Sequence, residues 1–171
     1  MLSLQVAFLL VFPALVIVGA LKDATSYTIP NWISAVLILA FFPAAFALGA
    51  APAAIGVHAA IGAVALVIGI AMFALGWIGG GDAKLFAAAG LWLGWPAAST
   101  YLFVTCIAGG VLAVGLLNLR STQMRSLVQM GPPWFVRLAT PGENVPYGLA
   151  IAIGALVAFP GSTLMQAFAA G

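Results

Sequence analysis

Residues 85–119, LFAAAGLWLGWPAASTYLFVTCIAGGVLAVGLLNL, decide the architecture of this chain. The run holds 35 residues of nearly unbroken apolar sequence between Lys84 and Arg120. A helix that crosses a bilayer needs about 20 residues. The run is therefore one long helix or two crossings. Gly94-Trp95-Pro96 lies inside it, and glycine with proline so close behind marks a turn. The sequence thus predicts a short crossing over residues 83–94 and a longer one over 97–119.

Charge placement gives the same answer. The chain carries only eight charged residues among 171. Apolar runs at 4–21, 32–49, 53–75 and 146–167 supply four more crossings, six in all. With six, the polar segments 22–31, 76–84 and 120–144 fall on one side and contain every charge. A single crossing over 85–119 would put Lys84 opposite the arginines. The positive-inside rule makes the charged side cytoplasmic. The expectation is one all-α, polytopic membrane domain over residues 1–171.

Composition excludes other classes. Hydrophobic residues make up 65% of the chain and charged ones 5%, with a mean hydropathy of +1.24. A soluble domain carries roughly 25% charge, so a soluble enzyme, a disordered chain and a nucleic-acid binder are all excluded. One cysteine allows neither a disulfide framework nor a multi-cysteine zinc site. The first residues lack a basic segment ahead of the apolar run, so a cleaved signal peptide is not expected.

The fourth crossing is short. Residues 83–94 rise about 18 Å as a helix, against a hydrocarbon core of about 30 Å. Either the bilayer thins there or the Gly-rich break before it dips below the surface. Irregular backbone at that depth is tolerated only against protein or a water-filled cavity, which predicts a wet recess near residues 79–82. Trp32 and Trp77 fall at the cytoplasmic ends and Trp92 and Trp95 at the opposite face, the pattern of an aromatic belt. The pairs Gly76/Gly80 and Gly90/Gly94 suit close helix packing.

Two of the three acids sit at helix ends on the charged side: Asp23 closes the first helix and Asp82 opens the fourth. An ionisable residue at membrane depth is a functional hypothesis by default. Two carboxyls meeting in one recess would not both ionise. Such a pair can activate a water as base and donate a proton to a substrate carbonyl, with no metal, cofactor or nucleophilic side chain. The plainer alternative is that both are boundary charges beside Lys22 and Lys84, or that Asp82 caps its helix.

The segment Gly79-Gly80-Gly81-Asp82-Ala83-Lys84-Leu85 resembles the GxGD signature of membrane-embedded aspartic peptidases, in the form found in type IV prepilin peptidases, the A24 family. Asp23 followed by Ile29-Pro30-Asn31 resembles that family's first motif, and Val145-Pro146-Tyr147-Gly148 its last. The resemblance spans residues 23–148. It implies Asp23 and Asp82 as the catalytic pair, with Gly79, Gly80, Gly81, Lys84, Pro30, Asn31, Pro146, Tyr147 and Gly148 as motif or substrate-contacting residues. The glycines would let a substrate strand lie close to the backbone; otherwise they only form a tight turn.

The resemblance implies prepilin or pseudopilin substrates cut at the cytoplasmic boundary, after a small residue. Larger family members carry a zinc-binding insertion with paired cysteines, associated with N-methylation. That insertion is missing here, so the chain is similar to the short CpaA/TadV-like group acting on Flp-type pilins, and methylation is not implied. The residues after Asp23, Ala24 to Thr28, are uncharged where the family often has basic ones.

His58 is read as a packing residue, without an HExxH partner motif, and Cys106 as a small core residue. Glu143 would suit the N-terminal dipole of the last helix. Residues 121–138 would lie along the interface, broken by Pro132-Pro133, with their arginines touching anionic lipid. Two further readings stand beside the peptidase: a small proton-coupled transporter or channel with the aspartates as relay, and an assembly scaffold without chemistry.

Overall fold

The computed structural model describes residues 2–121, 123–124, 128 and 130–170, the side chains of residues 2 and 3 excepted. Among these the secondary structure is entirely helical. The helices are α1 (Leu2–Ser26), α2 (Asn31–Ala47), α3 (Pro52–Ala74), α4 (Gly80–Leu93), α5 (Ala97–Leu119), α6 (Pro133–Leu138), α7 (Tyr147–Ala158) and α8 (Thr163–Ala170), with a 3-10 turn at Phe159–Gly161 between the last two.

Glycine and proline set the boundaries. The long apolar run is divided as expected: α4 stops at Gly94, whose φ of +59° suits glycine alone, and α5 starts directly after Pro96. Pro52 opens α3 from a first-turn position, where its missing N–H costs nothing. The last apolar run does not form one helix. Phe159-Pro160-Gly161 interrupts it, because Pro160 has no N–H to continue the α-helical ladder. Pro133 opens α6 from a first-turn position; the expected interfacial segment ahead of it lies partly outside the described residues.

Four stretches are long and apolar enough to cross a membrane: Leu4–Ser26, Pro52–Ala74, Ala97–Leu119 and Tyr147–Ala170, the last running through the 3-10 turn. They carry outward apolar side chains such as Val67, Val111 and Leu117, each about 70% exposed, as lipid-facing surfaces do. α2 is a shorter apolar helix.

The short α4 is the centre of the bundle. Eleven of its fourteen residues are buried, and it packs on α3 above all, then on α2, α7 and α1. Its shortness is therefore accommodated by surrounding protein. Small residues let α3 approach: a Cβ on Gly62 would stand 3.0 Å from Leu91, and one on Gly69 would stand 3.1 Å from Ala83. Gly90 meets Ala65 in the same way, whereas Gly76 is a turn residue with φ +73° and open space around it.

Several polar groups in the core find partners, whereas Thr105 Oγ1 on α5 is buried with none among the described residues. Trp92, placed in an aromatic belt by its position at the end of an apolar run, is fully buried instead. Its Nε1–H donates to the Leu37 carbonyl at 2.8 Å and its ring stacks on Phe12. Trp32, Trp77 and Trp95 remain exposed. His58 is a packing residue, with Nδ1 2.7 Å from the Leu91 carbonyl and Nε2 2.6 Å from Thr163 Oγ1. Cys106 is exposed on α5, not in the core.

Candidate active site

Asp23 lies in the last turn of α1. The helix ends four residues on, where Tyr27 takes a left-handed φ of +52° and returns its N–H to the Asp23 carbonyl at 2.8 Å. This is a helix stop usually made by glycine. It turns the chain into Thr28-Ile29-Pro30 and on to α2. Asp23 itself is 4% exposed, and its Oδ2 accepts the backbone N–H of Gly148 at 2.7 Å. Gly148 sits at the start of α7, where N–H groups have no partner within the helix. An acid from the first helix is thus held by the N-terminus of a late one.

Asp82 is the third residue of α4 and 6% exposed. Its Oδ2 accepts the Gly79 N–H at 2.9 Å. The capping role weighed for Asp82 is therefore real, but it uses one oxygen only. Asp82 Oδ1 is buried and has no hydrogen-bond partner among the described residues. An unpaired buried carboxylate oxygen is costly, and it is available to a substrate or water.

Both acids line two adjoining recesses. One, of about 160 Å³, is walled by Asp23, Tyr27, Trp77, Asp82, Asn144 and Tyr147 among others. The second, of about 220 Å³, is bounded by Asp23, Tyr27, Ile29 and Gly79 to Asp82. The expected recess near residues 79–82 is thus present. Its walls come from the ends of α1 and α3 and the starts of α4 and α7.

The remaining motif residues support this end of the bundle. Lys84 Nζ donates to Asn31 Oδ1 at 2.8 Å, which ties the start of α4 to the start of α2. Pro30 precedes α2 and its carbonyl accepts the Ile33 N–H. Pro146 is fully buried ahead of α7, and Tyr147 lines the first recess. Gly79 is on the rim of both recesses. A Cβ on Gly80 would meet the Phe73 ring at 3.5 Å, and one on Gly81 would lie 3.0 Å from Ile29. Gly81 therefore serves close packing, Gly80 sits at ordinary contact distance, and both also line the second recess. Gly148 has the most exacting position, since a Cβ would come within 2.8 Å of Asp23 Oδ2.

Tyr27 was not singled out by sequence. Its ring lies under the Arg137 guanidinium, 4.9 Å from the centroid, a cation–π contact. Burial raises the Tyr27 phenol above its ordinary range, with the Arg120 charge acting the other way. Arg120 donates through Nε to the Leu138 carbonyl and through Nη2 to that of Asn144. The segment before α7 is thereby fastened across the recess. Glu143 lies ahead of α7 rather than on its dipole, 3.7 Å from Arg137. Only the left-handed φ of Tyr27, directly after α1 ends at Ser26, marks this residue out, and sequence does not display it.

Comparison with known proteins gives the family. Residues 10–114 match the model of the type IV leader peptidase family. A stretch of 55 residues is 38% identical to a prepilin leader peptidase/N-methyltransferase of Aeromonas salmonicida, covering 32% of this chain and 19% of that protein. The protein of the same description from Aeromonas hydrophila matches to the same extent. The matched stretch thus spans about a fifth of these relatives. No solved structure gives a significant match.

Proposed function

The chain belongs to the type IV leader peptidase family, and on that premise we propose that it is a membrane-embedded aspartic endopeptidase acting on prepilins or pseudopilins. Asp23 and Asp82 are the catalytic pair. The observation that carries this is their convergence: two acids from distant parts of the chain line the same recess, each with one oxygen fixed by a backbone N–H. A fixed carboxyl is oriented before substrate arrives, which favours catalysis.

In the proposed reaction a water lies between the acids. The ionised carboxyl takes a proton from the water while the protonated one gives its proton to the scissile carbonyl oxygen and takes one back from the diol when the C–N bond breaks. The water oxygen bonds to the carbonyl carbon and gives a tetrahedral diol. The C–N bond then breaks, the nitrogen takes a proton from the first acid, and one proton is again shared by the pair. The charged end of the bundle is assigned to the cytoplasm of a bacterial inner membrane, so that a basic leader stays outside the bilayer while the apolar helix of the prepilin lies within it. The lack of a cysteine-rich insertion supports the short form acting on Flp-type pilins, with no methyl transfer.

A proton-relay role would need polar groups continuing across the bundle. The space beyond the recess is walled mainly by apolar side chains such as Ile68, Phe86 and Leu102, with Thr105 an isolated hydroxyl among them, which favours hydrolysis. The test is cleavage of a purified prepilin by the purified protein in detergent or vesicles. Release of the leader is the expected result; an intact prepilin with well-folded enzyme would refute the proposal.

A further inference from the structure

Beyond the acids the bundle contains an apolar trough that runs along α5. Its first section, about 320 Å³, begins at Ile78 and Tyr147, which also wall the acid recess. Its second section, about 260 Å³, shares Ile68, Phe86 and Leu102 with the first and ends at Trp95 and Ser99, by the turn between α4 and α5. The recess and the two sections therefore adjoin in turn, sharing these side chains as walls, from the aspartates towards the far end of the bundle. It exists because α3 packs on α4 while α5 packs on α7, so the space between α3 and α5 is left unfilled.

We infer that this trough seats the apolar membrane helix of the substrate, with the end of that helix delivered to Asp23 and Asp82. The inference rests on the peptidase reading and adds the place where the substrate lies. Length supports it. Ala113 and Ala98 of α5 mark its extent, and at 1.5 Å per residue they are about 22 Å apart, most of a hydrocarbon core of about 30 Å. Chemistry supports it too. Both sections are lined mainly by apolar side chains, with Thr105 and Ser99 the hydroxyls among them, and neither is fully enclosed by the bundle.

The surface of α5 also has the shape a second helix needs. Ala98, Leu102, Cys106, Gly109, Gly110 and Ala113 recur every three or four residues and so form one face. Gly110 is exposed, and a Cβ there would meet nothing within 4 Å. Small residues on such a face allow close backbone approach between membrane helices, where packing drives association. The mainly apolar lining disfavours a polar soluble ligand, and adjacency to the acid recess selects a helix whose end is to be cut.

Cys106, the single cysteine of the chain, is exposed in the middle of this face and provides the probe. Single cysteines are placed in turn along the apolar helix of a prepilin, which is co-expressed with the Asp23→Asn/Asp82→Asn enzyme. Membranes are then oxidised with copper phenanthroline. The expected result is a disulfide adduct through Cys106 at substrate positions three or four residues apart, lost in Cys106→Ala. Absence of adducts, adducts at every position alike, or a Cys106 disulfide between two enzyme copies each overturns the inference. The wild-type enzyme is assayed on the same prepilin in parallel. If nothing is cleaved the peptidase reading has failed; cleavage without adducts rejects the trough alone. A second variant, Gly110→Leu, fills the trough where space is free. It should raise KM for the full-length prepilin by roughly tenfold, and raise it far less for a soluble peptide spanning the cut site; an unaltered KM for the full-length prepilin contradicts the inference.

Discussion

The backbone N–H of Gly148 reaches Oδ2 of Asp23 at 2.7 Å across 125 residues of sequence. This contact joins the end of α1 to the start of α7 and leaves no room for a side chain at position 148. Gly148→Ala should therefore displace Asp23. A Cβ there would lie within 2.8 Å of Oδ2 and 2.9 Å of the Asp23 Cβ, so one element must move. We expect prepilin cleavage to fall steeply while the protein still inserts and melts cooperatively. Gly56→Ala, with nothing within 4 Å of its Cβ, is the control and should keep full activity. Equal activity in both variants would refute the positioning role of this glycine.

Asp23→Asn and Asp82→Asn test the pair directly. General acid–base groups contribute about 10² to 10⁴ in rate, and each variant should lose at least that much cleavage of a co-expressed prepilin, read as the ratio of precursor to mature band. Asparagine retains an oxygen able to accept the Gly148 or Gly79 N–H, so membrane levels should be normal. Normal processing by either single variant would exclude the two-acid mechanism.

These residues show how far the sequence could be read. Several helix boundaries follow from apolar runs broken by Pro52, Gly94-Trp95-Pro96 and the Gly79 to Gly81 turn, because glycine and proline act locally, whereas α6 and the split of the last run at Pro160 were not expected. The acids were legible because ionisable residues are so rare here. Inside and outside were not. In a membrane protein both faces of a helix are apolar, so Trp92 at the bundle centre and Trp95 on its surface are alike in sequence. The contacts of Tyr27, Arg120 and Arg137 were equally hidden, since they depend on a loop returning over the recess.

His58 separates stability from catalysis. It joins α3 to the Leu91 carbonyl and to Thr163, within the apolar core. Replacement by Ala leaves those partners unmet and opens a cavity. The expected loss is about 1–3 kcal/mol, seen as a lower midpoint of thermal unfolding in detergent. Per-molecule cleavage below that midpoint should be unchanged. A specific fall in kcat with normal stability would instead link His58 to the chemistry.

The Lys84–Asn31 hydrogen bond is exposed, and exposed polar pairs contribute little, about 0–1 kcal/mol. Lys84→Met and Asn31→Ala should each alter stability slightly, and the double variant no more than the larger single one. If Lys84 also meets the substrate, Lys84→Met alone will raise KM. A double-variant cycle on KM and melting temperature distinguishes the two, because a purely structural pair shows its coupling in stability only.

Orientation is the last test, and the geometry determines where to place the probes. The acid recess is bounded by the ends of α1 and α3, so Ser26 and Trp77, both exposed, lie beside it. Position 81 is a poor choice, as Ile29 is packed against it. In a Cys106→Ala background, Ser26→Cys and Trp77→Cys should react with a membrane-impermeant maleimide only from the cytoplasmic side. Ala51→Cys, in the turn before α3, should react only from the other side, because α2 separates it from the acid end. The reverse pattern would put the aspartates across the membrane from a basic leader that the positive-inside rule holds in the cytoplasm. The proposed cut at the cytoplasmic boundary would then be impossible, whatever the activity of the aspartates.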